Sequence, residues 1–123
     1  VARFRLSDLA RLDVAAILKT SASRHGEQAR IRYRGLVSAA FQRIAAEPEC
    51  PFSSSREEIA EGLRSLHLRH CKSESQEAPV ASPVHIVFFR RGSDGQVEII
   101  RVLHERMELS RHLTLGSRDP TAR

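Results

Sequence analysis

Tryptophan is absent from this sequence, tyrosine and methionine occur once each, and cysteine occurs twice. Two cysteines, Cys50 and Cys71, without metal-site spacing, exclude a disulfide-stapled scaffold. With no export signal visible they read as free thiols of a cytoplasmic protein. No apolar run approaches the length of a membrane span, and no basic-then-apolar leader opens the chain, so no membrane association is expected. Lysine is nearly missing too: among 20 cationic residues only Lys19 and Lys72 are lysine. The arginines are scattered, with no polybasic tract and no interleaved aromatics, which argues against non-specific nucleic-acid binding as the main task. Ser-His-Asp, P-loop and dinucleotide signatures are absent.

What is present is one domain's worth of chain, 123 residues with a formal charge of +5, enough for a modest core. Such an excess suits an acidic protein partner or a nucleic-acid surface. The densest apolar stretch is Gln96 to His104, β-branched and free of Gly and Pro, which predicts a largely buried strand. Alternation puts Val97, Ile99, Arg101 and Leu103 on one face and Glu98, Ile100, Val102 and His104 on the other. Arg101 is then a guanidinium among apolar neighbours and needs a partner. Glu98 or a helix carboxylate could supply one.

Ahead of it, Val1 to Leu6 alternates as a short strand, and Ser7-Asp8 caps a helix running to about Arg24. In that helix Leu9, Leu12, Ala16 and Ile17 share one side, with Val14 and Leu18 on another. Gly26 breaks the chain. A second helix from Glu27 to Ala46 carries the stripe Ala29, Tyr33, Leu36, Val37, Ala40, Phe41 and Ile44. The short join demands an antiparallel helix pair, and Tyr33 reads as a core residue with its hydroxyl at the edge. Pro48 and Pro51 end the helix, and Arg56 to Gly62 can hold one helical turn.

Leu63 to Arg69 alternates as a strand. His70 to Ser82 is polar and aperiodic, a long flexible loop. His67, His70 and Cys71 lack a fourth ligand, so no metal site is expected. Pro83 to Arg91 is a strand with apolar residues on both faces, turned by Gly92 to Gly95 into the organising strand. Met107 to Leu113 completes the domain with one or two helical turns, and residues 114 to 123 have no apolar pattern and read as a tail.

Several separated motifs carry a resemblance. The run Arg101-Val-Leu-His104-Glu-Arg106-Met107, continued by His112-Leu113, resembles the C-terminal signature of ParE toxins in the ParE/RelE superfamily. Gly26-Glu-Gln28-Ala29, Tyr33, Ala40-Phe41 and Glu47-Pro48 resemble that family's helical hairpin. Ile59, Gly62 and Arg64, then His85, Phe88 and Arg90, match its strand entries. Two departures are visible: Glu108 stands where Asp is usual, and the 70–82 loop replaces a tight turn.

The resemblance implies an α+β fold, β-α-α-β-β-β with a short C-terminal helix and the helical hairpin on one face of an antiparallel sheet. The far face would be dressed by the C-terminal segment or left as a patch for a partner. The resemblance further implies a toxin that poisons DNA gyrase without a cofactor. It would be neutralised, as a hetero-oligomer, by a ParD-like antitoxin encoded nearby, and would touch operator DNA only through that antitoxin. Alternatives are a RelE-like ribosome-dependent endoribonuclease and a non-toxic antitoxin-binding module. Arg64, Arg90, Arg101, His104, Arg106, His112 and Leu113 are the candidate target- or antitoxin-binding residues, and no catalytic residue is assigned.

Overall fold

The computed structural model describes residues 3–107. The expected C-terminal turns, with His112 and Leu113, and the tail lie outside the described residues. Within them the order is β1 (Phe4–Leu6), α1 (Asp8–His25), α2 (Glu27–Ala46), β2 (Ser54–Ser55), β3 (Arg64–His67), a 3-10 helix (Leu68–Glu74), β4 (His85–Arg91) and β5 (Val97–His104). The strands form one sheet in the order β1-β5-β4-β3-β2, so the apolar strand singled out from sequence lies inside the sheet. Three pairings are antiparallel, as expected. The fourth is not: β1 lies parallel to β5, Phe4 opposite Val97. The sheet is therefore mixed, the helical hairpin bringing the chain back so that its first and last strands run together.

Local chemistry explains the helices. Ser7 caps α1 by accepting the Ala10 amide on its hydroxyl. Gly26 joins α1 to α2 at φ 93°, where a side chain would be strained. Tyr33, Leu36, Val37, Ala40, Phe41 and Ile44 of α2 are all buried, the stripe anticipated from spacing. Each large side chain in it stabilises the fold by roughly 1.5–3 kcal/mol. Phe41 meets Phe4 edge-on. In α1 the buried side is instead Ala10, with Val14, Ile17 and Leu18 packed on the core. The stripe of Leu9 and Leu12 faces out, 42% and 65% exposed.

A bulge in β5 changes its predicted faces. Phe89 pairs with Ile99 but Phe88 pairs with Arg101, leaving Ile100 as the extra residue. Val97, Ile99 and Val102 consequently join the core under the helices. Ile100 and Leu103 go to the other face with Leu63 and Phe88. That second face is covered in part by Ile59, Ala60 and Ile86. Ile59 and Ala60 belong to Arg56–Gly62, where the Ala60 amide donates to the Arg56 carbonyl at 3.3 Å, closing the single turn expected there. All four buried residues of this face are at most 8% exposed, so they are no open patch.

The segment read as loop over 70–82 is regular at its start. Leu68 and Cys71 are fully buried, and Arg43 of α2 donates to the His70 carbonyl at 2.6 Å and pairs with Glu74 at 3.3 Å. These anchors hold a 3-10 turn that polarity alone did not suggest. Further on, Val80 packs against the core, and Glu77 and Ser75 lie over Gly35 of α2.

Candidate functional site

β1 covers only the first residues of β5, pairing through Leu6 and Ile99. Beyond that point α1 supplies the polar groups an edge strand needs. The Ser7 amide donates to the Ile99 carbonyl at 3.0 Å, and the Ser7 hydroxyl donates to the Ile100 carbonyl at 2.7 Å. Asp13 accepts the Val102 amide at 3.0 Å. The same carboxylate takes a two-pronged grip on Arg101, 2.8 Å from Nε and 2.9 Å from the second nitrogen. Both side chains are about 15% exposed. The helix carboxylate that Arg101 required is thus Asp13, 88 positions away in the chain.

At the far end of β5 the strand register gathers imidazoles. His104 stands directly opposite His85, their rings edge to face at 5.5 Å. Burial, then the neighbouring His104 and His67, push His85 down to about 4, so its ring is neutral at pH 7. The Tyr33 hydroxyl accepts the Val84 amide at 3.2 Å. It also shares a hydrogen bond with His85 Nδ1, 2.6 Å away, and burial raises the Tyr33 pKa, keeping the phenol protonated. His104 Nδ1 accepts the Arg106 amide. His67 Nδ1 accepts the Arg69 amide, so its Nε2–H points to Glu105 at 2.6 Å. The hydrogen bond from His67 lowers the Glu105 pKa. With both His67 nitrogens engaged, the His67, His70 and Cys71 trio does not converge. Among the described residues no group of three potential metal ligands is found.

Beside these rings lies a groove of about 740 Å³ between α1, α2 and the segment 79–84, with Tyr33, His85, His104 and Met107 among the residues that line it. Arg24, His25 and Arg32 line it.

The anticipated site residues are split between the two ends of the sheet. Arg64 is on β3, donating to the carbonyl and hydroxyl of Ser53, with its Nε buried and without a hydrogen-bond partner. Arg90 is on β4 opposite Glu98. His104 and Arg106 are at the other end, five β4 positions away, about 17 Å. Sequence reasoning missed three contributors: Asp13, the Tyr33–His85 bond, and the His67–Glu105 pair. The His85–His104 apposition depends on the register shift between Phe88 and Phe89, for which the sequence offered no signal.

A helical hairpin laid on one face of an open mixed sheet, whose strand β5 ends in a basic and imidazole-rich step, is an α+β architecture. The family described as "ParE toxin of type II toxin-antitoxin system, parDE" matches residues 4–109. The chain belongs to that family. It is similar to Toxin ParE1 of two Mycobacterium tuberculosis strains, CDC 1551 / Oshkosh and H37Rv, in each case 27% identical over 111 residues. The match covers 90% of this chain and 97% of each relative. No helix among the described residues is long and apolar enough to cross a membrane.

Proposed function

We propose that this chain acts in the cytoplasm as the toxin of a type II toxin–antitoxin pair, arresting replication by binding DNA gyrase, and that a ParD-like antitoxin neutralises it. The observation that carries the reading is the family match over residues 4–109. The geometry supports action by binding. Arg101 is committed to Asp13, and both nitrogens of His67 and both partners of the Tyr33 hydroxyl are taken. Those groups hold the strand end in shape. Arg64, Arg90 and Arg106 offer charge to a partner from two separate places. The +5 charge favours an acidic antitoxin, whose association should slow as salt is added.

A second reading, a ribosome-dependent ribonuclease, is favoured by one observation, the meeting of Tyr33, His85 and His104. The two are separated by inducing the chain in bacteria and by adding it, purified, to a gyrase supercoiling assay. Loss of supercoiling with intact transcripts is expected. Cut transcripts with gyrase unaffected would overturn the gyrase reading.

A further inference from the structure

Cys50 and Cys71 are free thiols and both are buried, and no part of the site described above uses either. They arrive from different segments, Cys50 from the turns that follow α2 and Cys71 from the 3-10 helix after β3. Arg43, in the last turn of α2, ties those segments together on one planar guanidinium. One terminal nitrogen donates to the carbonyl of His70, the residue before Cys71, at 2.6 Å. The other donates to the carbonyl of Pro51, the residue after Cys50, at 3.2 Å. A fork of fixed shape that bonds both carbonyls also fixes the spacing of the two segments.

A second contact crosses the same seam. The Phe52 ring lies flat on His70, the centroids 4.4 Å apart and the planes 3° from parallel. Phe52 holds this position at φ 74°, a backbone region that residues with bulky side chains rarely enter. Both cysteine side chains belong to one core cluster, and they lie near enough to act on each other. Burial pushes the Cys71 thiol up to about 11 against the pull of Arg43, and Glu74 and Cys50 add to the rise. A buried cysteine alone is inert. Two that face each other across a braced seam differ, because an oxidant that modifies one leaves it beside a second thiol.

We propose that Cys50 and Cys71 are an oxidisable pair, closed by a peroxide into an intramolecular disulfide that fastens the 3-10 helix to the end of α2. Cys50, 3% exposed against 0% for Cys71, is the sulfur that peroxide reaches first. That sulfur attacks one peroxide oxygen, the O–O bond breaks, and Cys50 becomes a sulfenic acid as one water leaves. The Cys71 sulfur then attacks the Cys50 sulfur and the S–O bond breaks. The hydroxyl departs with the Cys71 proton as a second water. Two electrons pass from the two thiols to the peroxide. Prompt capture by Cys71 keeps Cys50 from going on to the irreversible sulfinic acid. The loop so closed contains β2 and β3, the last two strands at one edge of the sheet. Because the cross-link restricts that loop in the unfolded chain, oxidation makes this edge harder to open. The inference is independent of the toxin's target.

The test treats the full chain, folded and reduced, with hydrogen peroxide. The chain is then quenched, unfolded in guanidinium, and exposed to N-ethylmaleimide before mass spectrometry. The expected product takes up no label, is lighter than the reduced chain by two hydrogens, and stays monomeric. Trypsin should release residues 44–56 linked to residues 70–72. Native thermolysin cleavage between residues 50 and 71 should slow at least about tenfold and recover on reduction. Cys71→Ser supplies an independent check, since Cys50 should then accumulate as a sulfenic acid that dimedone traps. Chains that still take two labels, cross-links only between chains, or sulfinic acid at Cys50 of the wild type would overturn the pairing. A disulfide that leaves cleavage unchanged would overturn the fastening, and Cys71→Ser without a dimedone adduct would overturn the order of attack.

Discussion

One carboxylate, Asp13, closes two accounts at once: it neutralises Arg101 and accepts the Val102 amide at the open edge of β5. Removing it leaves a mostly buried guanidinium and an exposed strand edge together. Asp13→Ala should cost about 3 kcal/mol or more, read from urea unfolding. Asp13→Asn should cost less, since it retains an acceptor for the amide. Equal losses for the two variants would mean that the amide contact contributes nothing.

His85 makes stability depend on acid. Its native pKa, about 4, is below the ordinary 6.5, so the unfolded chain binds a proton that the folded one refuses. The stabilisation is complete above pH 6.5 and is lost as pH falls toward 4, on the order of 2 kcal/mol allowing for partial solvent access. Glu105, whose pKa is lowered by His67, adds a loss of the same sign at lower pH. Chemical denaturation of His85→Gln should show a flatter stability curve between pH 6.5 and 4. An unchanged slope would exclude His85 as its source.

Gly35 is a mid-helix glycine with a steric reason. A Cβ there would sit 2.6 Å from Glu77 Cγ and 2.8 Å from Ser75 Oγ. A larger residue displaces the Glu77 and Ser75 side chains and loosens their seat on α2, while helix propensity gains up to about 1 kcal/mol. Gly35→Leu should therefore leave the unfolding midpoint within about 1 kcal/mol of wild type and make residues 75–82 markedly easier to cleave. Limited proteolysis with mass spectrometry checks it, and an unaltered cleavage rate would refute the account.

His104→Gln separates binding from proton transfer. The glutamine can still accept the Arg106 amide, a bond made now by His104 Nδ1, but it cannot shuttle protons at neutral pH. Toxicity should persist within about tenfold, against the ~10²–10⁴ that general acid–base catalysis is worth. Growth arrest titrated by inducer dose measures this. Abolished toxicity in a folded variant, with transcripts no longer cut, would move the protein to the ribonuclease class.

Legibility from sequence varied with how many residues shared a signal. The α2 stripe repeats its message over six buried side chains, and the β4–β5 hairpin has both alternation and a glycine turn. Helix α1 carries two stripes of similar hydrophobicity, so spacing could not say that Ala10, Val14, Ile17 and Leu18 would be inside and Leu9 and Leu12 outside. Ser54–Ser55 has no strand signature; it is in the sheet because β3 offers it an edge. The candidate site was harder still. Continuing the Arg91–Val97 register without interruption would put His85 opposite Leu103. The bulge at Ile100 advances β5 by one and brings His104 there instead. A single extra residue thus created the imidazole cluster, and no composition rule marks it. Asp13 was invisible for another reason: its partner lies 88 residues downstream.

The parallel pairing of Phe4–Leu6 with Val97–Ile99 has a consequence for how the molecule comes into being on the ribosome. β5, the strand between β1 and β4, is the last described one to be synthesised. Until it emerges, β1 has no neighbour, β4 lacks one edge, and the apolar stripe of α2 has only part of its floor. A nascent chain interrupted before Val97 is therefore a helical hairpin, an unpaired β1 and a three-stranded β2-β3-β4 piece with one edge open. The cell is spared a half-made toxin with a finished surface, and any protein that must restrain it has until the end of translation to be on hand.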